Sequence, residues 1–155
     1  MKISCVSLEK KKMKSIQRVG ASLYADPLHV GHLEYLEKAK ALAGTNGQLV
    51  VIVNNDEQAV LKKGRSFMSE KERLKIISSL RMVDEVWLSI DIDRTVCETI
   101  QSIDPPLTMF VNGGDQWNDT IPEAPLCQEL GIKLVDGLGE KIQSSSWLTG
   151  IKARS

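Results

Sequence analysis

The sequence predicts an α/β fold: a parallel sheet with helices on both faces, in a single domain. Three observations carry this expectation. Stretches of strand character alternate with stretches of helical periodicity, and repeated βα units build parallel sheets with right-handed crossovers. The run Gln48 to Val53 (QLVVIV) is rich in β-branched residues, the signature of a strand covered on both faces. The length of 155 residues fits one domain, and a chain of that size buries roughly 70% of its unfolded surface without needing a disulfide or a structural metal.

The elements follow in order. The first strand is expected within Ile16 to Tyr24. Val30, Leu33, Leu36, Ala39, Leu42 and Ala43 form a helical stripe over Val30 to Ala43, with Gly44 as its stop. After the Gln48 to Val53 strand, Asn54-Asn55-Asp56 can cap a short helix. Lys62-Lys63-Gly64-Arg65 reads as a basic loop. Ser69 and Glu72 predict a capping box that opens an amphipathic helix over Ser69 to Leu80. Glu85 to Ile90 is a strand, Arg94 to Ile103 a helix, and Asp104-Pro105-Pro106 a break. Leu107 to Val111 is a strand that runs into Asn112-Gly113-Gly114-Asp115. Pro122 to Leu130 is a helix stopped by Gly131, Ile132 to Val135 the last strand, and Ser144 to Ile151 a closing helix. Residues 1–15 are expected to form an N-terminal arm and 16–155 the domain, with no internal repeat or linker.

Composition narrows the function. A hydrophobic fraction of 42% and a charged fraction of 26% are those of a globular protein. Lys plus Arg equals Asp plus Glu at 20 each, which argues against a nucleic-acid binder. The three cysteines, Cys5, Cys97 and Cys127, are odd in number, widely spaced and without zinc-ligand spacing, which points to a reducing, cytoplasmic setting. No apolar run approaches the roughly 20 residues of a membrane span. Lys10-Lys11-Lys12 follow the first apolar residues, the reverse of signal-peptide order.

In an open parallel sheet the ligand site lies beyond the carboxyl ends of the strands, at the topological switch point. The unusual residues fall there: Asp26 to His32, Lys63, and Asn112 to Asp115. His29-Val30-Gly31-His32 holds the only two histidines of the chain, three apart, at the start of a predicted helix. That spacing puts both imidazoles on one face. Unpaired N–H groups and the helix dipole favour an anion at the same point, and Gly31 allows close approach to the backbone. On the pattern alone two readings stand: a capping histidine with a core histidine, or two donors for a phosphate in transfer.

The segment Asp26-Pro27-Leu28-His29-Val30-Gly31-His32 resembles the nucleotidyltransferase superfamily marked by an HxGH motif after the first strand. The resemblance continues through Val53 to Glu57, Leu61 to Gly64, the helix start at Glu70 to Arg73, Val83 to Val86, Asn112 to Asp115, and Ile142 to Ser146. It covers roughly Ile16 to Ile151 and is strongest toward glycerol-3-phosphate-type cytidylyltransferases and heptose-1-phosphate-type adenylyltransferases. It implies a Rossmann-like sheet, transfer of CMP or AMP from CTP or ATP to a phosphorylated small molecule, and Mg2+ carried in with the triphosphate. The acceptor it implies is of the polyol-phosphate or sugar-phosphate kind, and relatives are often homodimers.

The resemblance also assigns residues. His29, His32 and Lys63 become the catalytic groups, with Lys62 as the alternative lysine. Tyr24, Ala25, Asp26, Gly31, Asn112, Gly113, Gly114, Asp115, Ser144, Ser145 and Ser146 become nucleotide contacts. Asp26, Lys63 and Arg73 become substrate contacts, no protein metal ligand is implied, and helix capping is a second role for Asp26. Plain local roles stand beside these: a turn at Asn112 to Asp115, an N-cap at Ser144 to Ser146, a surface position for Arg73. The Asp84-Glu85 pair fits the family or simply opens a strand.

The sequence departs from the family's usual pattern at Leu23 and Ala25, where relatives carry Gly and Phe, at Gln116, and at Gly150 where an Arg is usual. Lys152 or Arg154 could replace that Arg. These departures support the alternative of a non-catalytic nucleotide or phosphometabolite binder on the same fold. A redox domain is disfavoured because no G-x-G-x-x-G follows the first strand.

Overall fold

A computed structural model of the chain describes residues 16–113, 121–138 and 148–151. Five strands, β1 (Arg18–Leu23), β2 (Gln48–Val53), β3 (Glu85–Leu88), β4 (Met109–Gly113) and β5 (Lys133–Leu138), form one sheet in the order β3-β2-β1-β4-β5. All four pairings are parallel. The helices are α1 (Val30–Ala43), α2 (Asp56–Lys63), α3 (Glu70–Ser78), α4 (Cys97–Ser102) and α5 (Ala124–Leu130). The expected architecture is therefore present, and the strand order reverses between β1 and β4, which fixes the switch point.

Alternation along β2 builds two cores. Leu49, Val51 and Val53 face Leu36, Ala39 and Ala43 of α1 and Ile77 of α3. Val50 and Ile52 face the opposite way, toward Ile100 of α4, Cys127 of α5 and Phe110. A strand sandwiched between two helical layers must be apolar on both faces, which is why QLVVIV reads as it does.

Several boundaries differ from expectation. The core face of α1 runs through Leu36, Ala39 and Ala43, while Val30 and Leu42 are exposed. Lys62 and Lys63 are the last residues of α2 rather than loop, because Asn55 caps the helix and Gly64 ends it in the left-handed region. Ser69 caps α3 by accepting from the Glu72 N–H, and that helix ends at Ser78. The helix expected from Arg94 shrinks to the six residues of α4. Leu148 and Thr149 are helical, but Gly150 and Ile151 are not, and the rest of the closing helix lies outside the described residues, as does the N-terminal arm. No helix among the described residues is long and apolar enough to cross a membrane.

Asp84 and Glu85 sit at the amino edge of the sheet, away from the switch point. Asp84 pairs with Lys40 and accepts the Leu49 N–H, and Glu85 pairs with Arg18. They open β3 and tie it to its neighbours, the second of the two roles the sequence left open.

Candidate active site

The site grows from the first turn of α1. His29 is the N-cap in extended conformation. The Gly31 N–H donates to His29 Nδ1 at 3.1 Å, and the His29 N–H donates to His32 Nδ1 at 3.3 Å. The two histidines thus form a reciprocal capping box in which imidazoles take the usual places of Ser and Glu. Their rings stack with centroids 3.8 Å apart. Because each Nδ1 accepts a backbone proton, each neutral ring carries its own proton on Nε2. The capping and phosphate-donor readings therefore coexist: capping through Nδ1 presents Nε2–H for other work.

Charge follows from position. His32 lies one turn before Leu36 on the face of α1 that enters the core. Burial first, then His29, Lys62 and Lys63, push its pKa down to about 3. Burial lowers His29 as well. Both are neutral donors at pH 7, which suits a site where the cationic charge comes from lysines.

Asp26 is fully buried. Its carboxylate accepts the N–H of Phe67 at 2.8 Å and of Met68 at 2.6 Å, and pairs with Lys63 at 3.0 Å. Burial alone would raise its pKa; the two amides and Lys63 more than offset this and hold it below the ordinary carboxylate value. Lys63 also donates to the Asp26 carbonyl, and its side chain is only 8% exposed. The pair anchors the α2–α3 loop under the histidines. Among the described residues no group of three or more His, Cys, Asp or Glu could hold a metal, and the Asp26 carboxylate is committed to these three donors.

Arg73 corrects an expectation. It is fully buried, not placed at a surface or open to a substrate. Its guanidinium donates to the carbonyls of Met68, Tyr24 and Asn54 and to Asp56. These carbonyls lie at the ends of β1 and β2 and at the start of α3, so Arg73 fixes the backbone from which Tyr24 to Asp26 and the α2 cap emerge.

Tyr24 stands half-buried beside the cap. Lys62 Nζ lies 4.3 Å from its ring centroid. Burial raises its pKa while the Arg94 guanidinium, at its hydroxyl, lowers it in part. Arg94 is a site residue that the sequence reading did not single out; no motif marks the β3–α4 loop. Ala25 has φ +52° and is buried. The backbone demand in this segment thus falls on Ala25, not on Leu23, which is an ordinary β1 residue in the core.

Across the switch point, Tyr35 donates to the Val111 carbonyl at 2.9 Å and ties α1 to β4. Asn112, nearly buried at the end of β4, has no hydrogen-bond partner for Nδ2, the sole such side-chain atom among the described residues. Gly113 follows on β4. Gly114, Asp115, Gln116, Ser144, Ser145, Ser146, Lys152 and Arg154 lie outside the described residues. The structure therefore brings together Tyr24, Ala25, Asp26, His29, His32, Lys62, Lys63 and Arg94.

A parallel sheet with two histidines and two lysines gathered at its switch point fits the class of α/β nucleotidyltransferases. Comparison with known proteins gives the family: the chain belongs to the cytidylyltransferase-like family, which matches residues 24–143. FAD synthase of Methanothermus fervidus is 37% identical over 111 residues, 72% of each chain. FAD synthase of Methanopyrus kandleri is 35% identical over 100 residues, 64% of each chain. The bifunctional protein HldE of Syntrophotalea carbinolica is 37% identical over 120 residues, 72% of this chain but 23% of that protein. The crystal structure of a lipopolysaccharide core biosynthesis protein from Thermoplasma volcanium matches 80% of this chain and 98% of its own, at 31% identity and a TM-score of 0.63.

Proposed function

We propose that this nucleotidyltransferase transfers a nucleoside monophosphate unit from ATP or CTP to a phosphorylated small molecule. The observation that carries the reading is the reciprocal histidine cap. It fixes two neutral Nε2–H donors at a helix N-terminus, where charge on an α-phosphate in transfer is stabilised by preorganised donors. Gly31 sits between them without a side chain to obstruct a phosphate.

In the proposed reaction an oxygen of the acceptor phosphate bonds to the α-phosphorus. The bond from that phosphorus to the bridging oxygen breaks, and its electron pair leaves with pyrophosphate. An acceptor phosphate is largely dianionic near pH 7, since its second pKa is about 6. The attacking oxygen therefore has no proton to lose, and the neutral state of both histidines costs the reaction nothing. The triphosphate would bring Mg2+, which neutralises phosphate charge, and no step of this chain's residues is routed through it. Asn112 and Gly113, with Gly114, Asp115 and the Ser144 to Ser146 cluster, form the proposed nucleotide side. The relatives named FAD synthase favour ATP as donor and admit a flavin phosphate as acceptor beside the polyol and sugar phosphates.

Beside the departures at Leu23, Ala25 and Gly150, the non-catalytic alternative draws on one structural observation: Lys63, the expected phosphate lysine, is bound to Asp26. Pyrophosphate release separates the readings. The purified chain with Mg2+ and ATP or CTP is assayed against FMN, glycerol 3-phosphate and glucose 1-phosphate. Acceptor-dependent pyrophosphate is expected with at least one pair; nucleotide binding without any release would leave the binding role.

A further inference from the structure

We propose that Gln58 is a positioning residue of the transferase. It registers the loop after β3, residues 89–95, on the backbone that leads to the histidine turn, and so sets where the acceptor sits relative to the phosphate in transfer. This rests on the transferase reading and deepens it.

β3 is an edge strand that pairs only with β2, and its pairing ends at Leu88. The carbonyls that follow need donors from elsewhere. Two amide side chains at the start of α2 supply them. Asn55 Nδ2 donates to the carbonyls of Ser89 at 2.9 Å and Asp91 at 3.0 Å. Gln58 Nε2 donates to those of Asp93 and Thr95, both at 2.7 Å. Alternate carbonyls from Ser89 to Thr95 are thus held by α2, while Ile90, Ile92 and Arg94 between them stay exposed.

Gln58 also faces the other way. It is fully buried, and its Oε1 accepts from Asn54 Nδ2 and from the Asn55 N–H, each at 3.1 Å. The Asn54 N–H donates to the Leu23 carbonyl at 3.0 Å, and Arg73 bridges the Asn54 and Tyr24 carbonyls. A continuous set of hydrogen bonds therefore runs from the loop, through one side chain, to the end of β1 that leads into Asp26 and His29.

The residue type points the same way. Gln58 is the third residue of α2 and closes the capping box with Asn55. A Glu there closes such a box equally well, and its charge suits a helix N-terminus better. A carboxylate, however, has no proton to give two carbonyls. The cap uses the amide oxygen of Gln58, and only the loop uses its two N–H donors.

On the transferase reading the nucleotide takes the β4 flank, with Asn112 and Gly113. The acceptor takes the flank of β2 and β3, where this loop forms the rim. A misplacement of about 1 Å can cost a reaction about 10²-fold. Gln58 touches no substrate in this scheme; it acts through the loop that it holds.

Titration calorimetry and pyrophosphate release on the full chain test this. FMN, glycerol 3-phosphate and glucose 1-phosphate are titrated with Mg2+ and the α,β-methylene analogue of ATP or CTP present. Gln58→Glu keeps the cap and removes both donors; Gln58→Met removes them without adding a charge. Thr99→Val leaves Gln58 in place and loosens the same loop from α4, by freeing the Ile90 N–H and one oxygen contact of Asp91. Each is expected to weaken acceptor binding about tenfold, the loss of roughly one well-made contact, with analogue affinity within about twofold of wild type. Gly47→Ala, which strains the amino edge of the sheet, should lower the melting temperature and leave both affinities unchanged. The proposal is overturned if wild type binds none of the phosphomonoesters, or if folded Gln58 variants bind them as wild type does. It is overturned equally if acceptor and analogue weaken together in step with the melting temperature, as a merely structural role requires. Should the Gln58 variants not fold, Thr99→Val decides on the same criteria. Acceptor binding that depends on Gln58, without pyrophosphate release by wild type, would count against the transferase reading alone.

Discussion

Replacing Arg73 by Met separates a substrate contact from a buried support. The guanidinium makes four hydrogen bonds, three to main-chain carbonyls and one to Asp56. Met preserves much of the volume and removes every donor. Each buried carbonyl left without a partner costs about 1–3 kcal/mol, and removing one partner of a buried ion pair costs about 3–5 kcal/mol. These overlap, because Met avoids an orphan charge in the core and Asp56 is partly exposed, so a loss of about 4 kcal/mol is expected. Against a typical stability of about 5–15 kcal/mol the variant should fold but be marginal. With a urea m value of about 2 kcal/mol/M, the unfolding midpoint should fall by about 2 M. The assay is urea unfolding followed by circular dichroism, with kcat and KM measured in the absence of denaturant. A midpoint within about 0.3 M of wild type, accompanied by a raised KM for one substrate, would refute the support role and restore Arg73 as a substrate contact.

Other expectations follow from the same geometry. His29→Ala and His32→Ala should each lower kcat by about 10²–10³, the usual effect of losing one preorganised donor; near-wild-type turnover in either would remove the catalytic assignment. His32 should also make stability depend on acid. Its folded pKa of about 3 lies below the ordinary 6.5, so the unfolded chain binds the proton more readily, and stability falls as pH drops from 6.5 toward 3. The slope from this one group is at most about 1.4 kcal/mol per pH unit. His32→Gln should flatten the curve of urea midpoint between pH 6.5 and 4, and an unchanged slope would mean that the ring is solvated. Gly47→Ala should destabilise the chain by about 1–3 kcal/mol, because its new Cβ would fall on the Ala43 carbonyl, which belongs to helix backbone; an unchanged melting temperature would show that the α1–β2 turn can relax.

How far the sequence could be read depended on the range of the interactions involved. β2 was legible to the residue because its apolar run is local and bounded. α1 was equally clear, since His29 and Gly44 mark its ends from within a few positions. Its buried face was drawn slightly off because His32, a polar residue, begins the stripe that Leu36 continues. The helix before Ile103 was overextended for a longer-range reason: Asp91 caps α4 by accepting the N–H groups of Glu98 and Thr99 from outside the helix, while Asp93 and Thr95 close a separate turn. No local spacing announces such a cap. At the site, the histidines were found because their roles are carried by a short motif. Arg94 was not singled out, and Arg73 was named for a substrate rather than for the backbone it supports, since its partners are remote in sequence: Arg73 bonds the carbonyls of Tyr24 and Asn54.

The central position of β1 in the sheet bears on how such a protein can change its substrates over generations. β1 and α1 hold the proposed reaction centre, and the two flanks of the sheet meet only through them. Mutations in α2 or in the loop after β3 reshape one flank without passing through β4 or β5, and changes at Asn112 or Gly113 reshape the other. On the proposed function, variation on one flank is thus shielded from the other, and the first turn of α1 can be kept while substrates are exchanged one at a time. An engineer would use the same separation by randomising α2 and the loop after β3 as one library and leaving the first turn of α1 untouched.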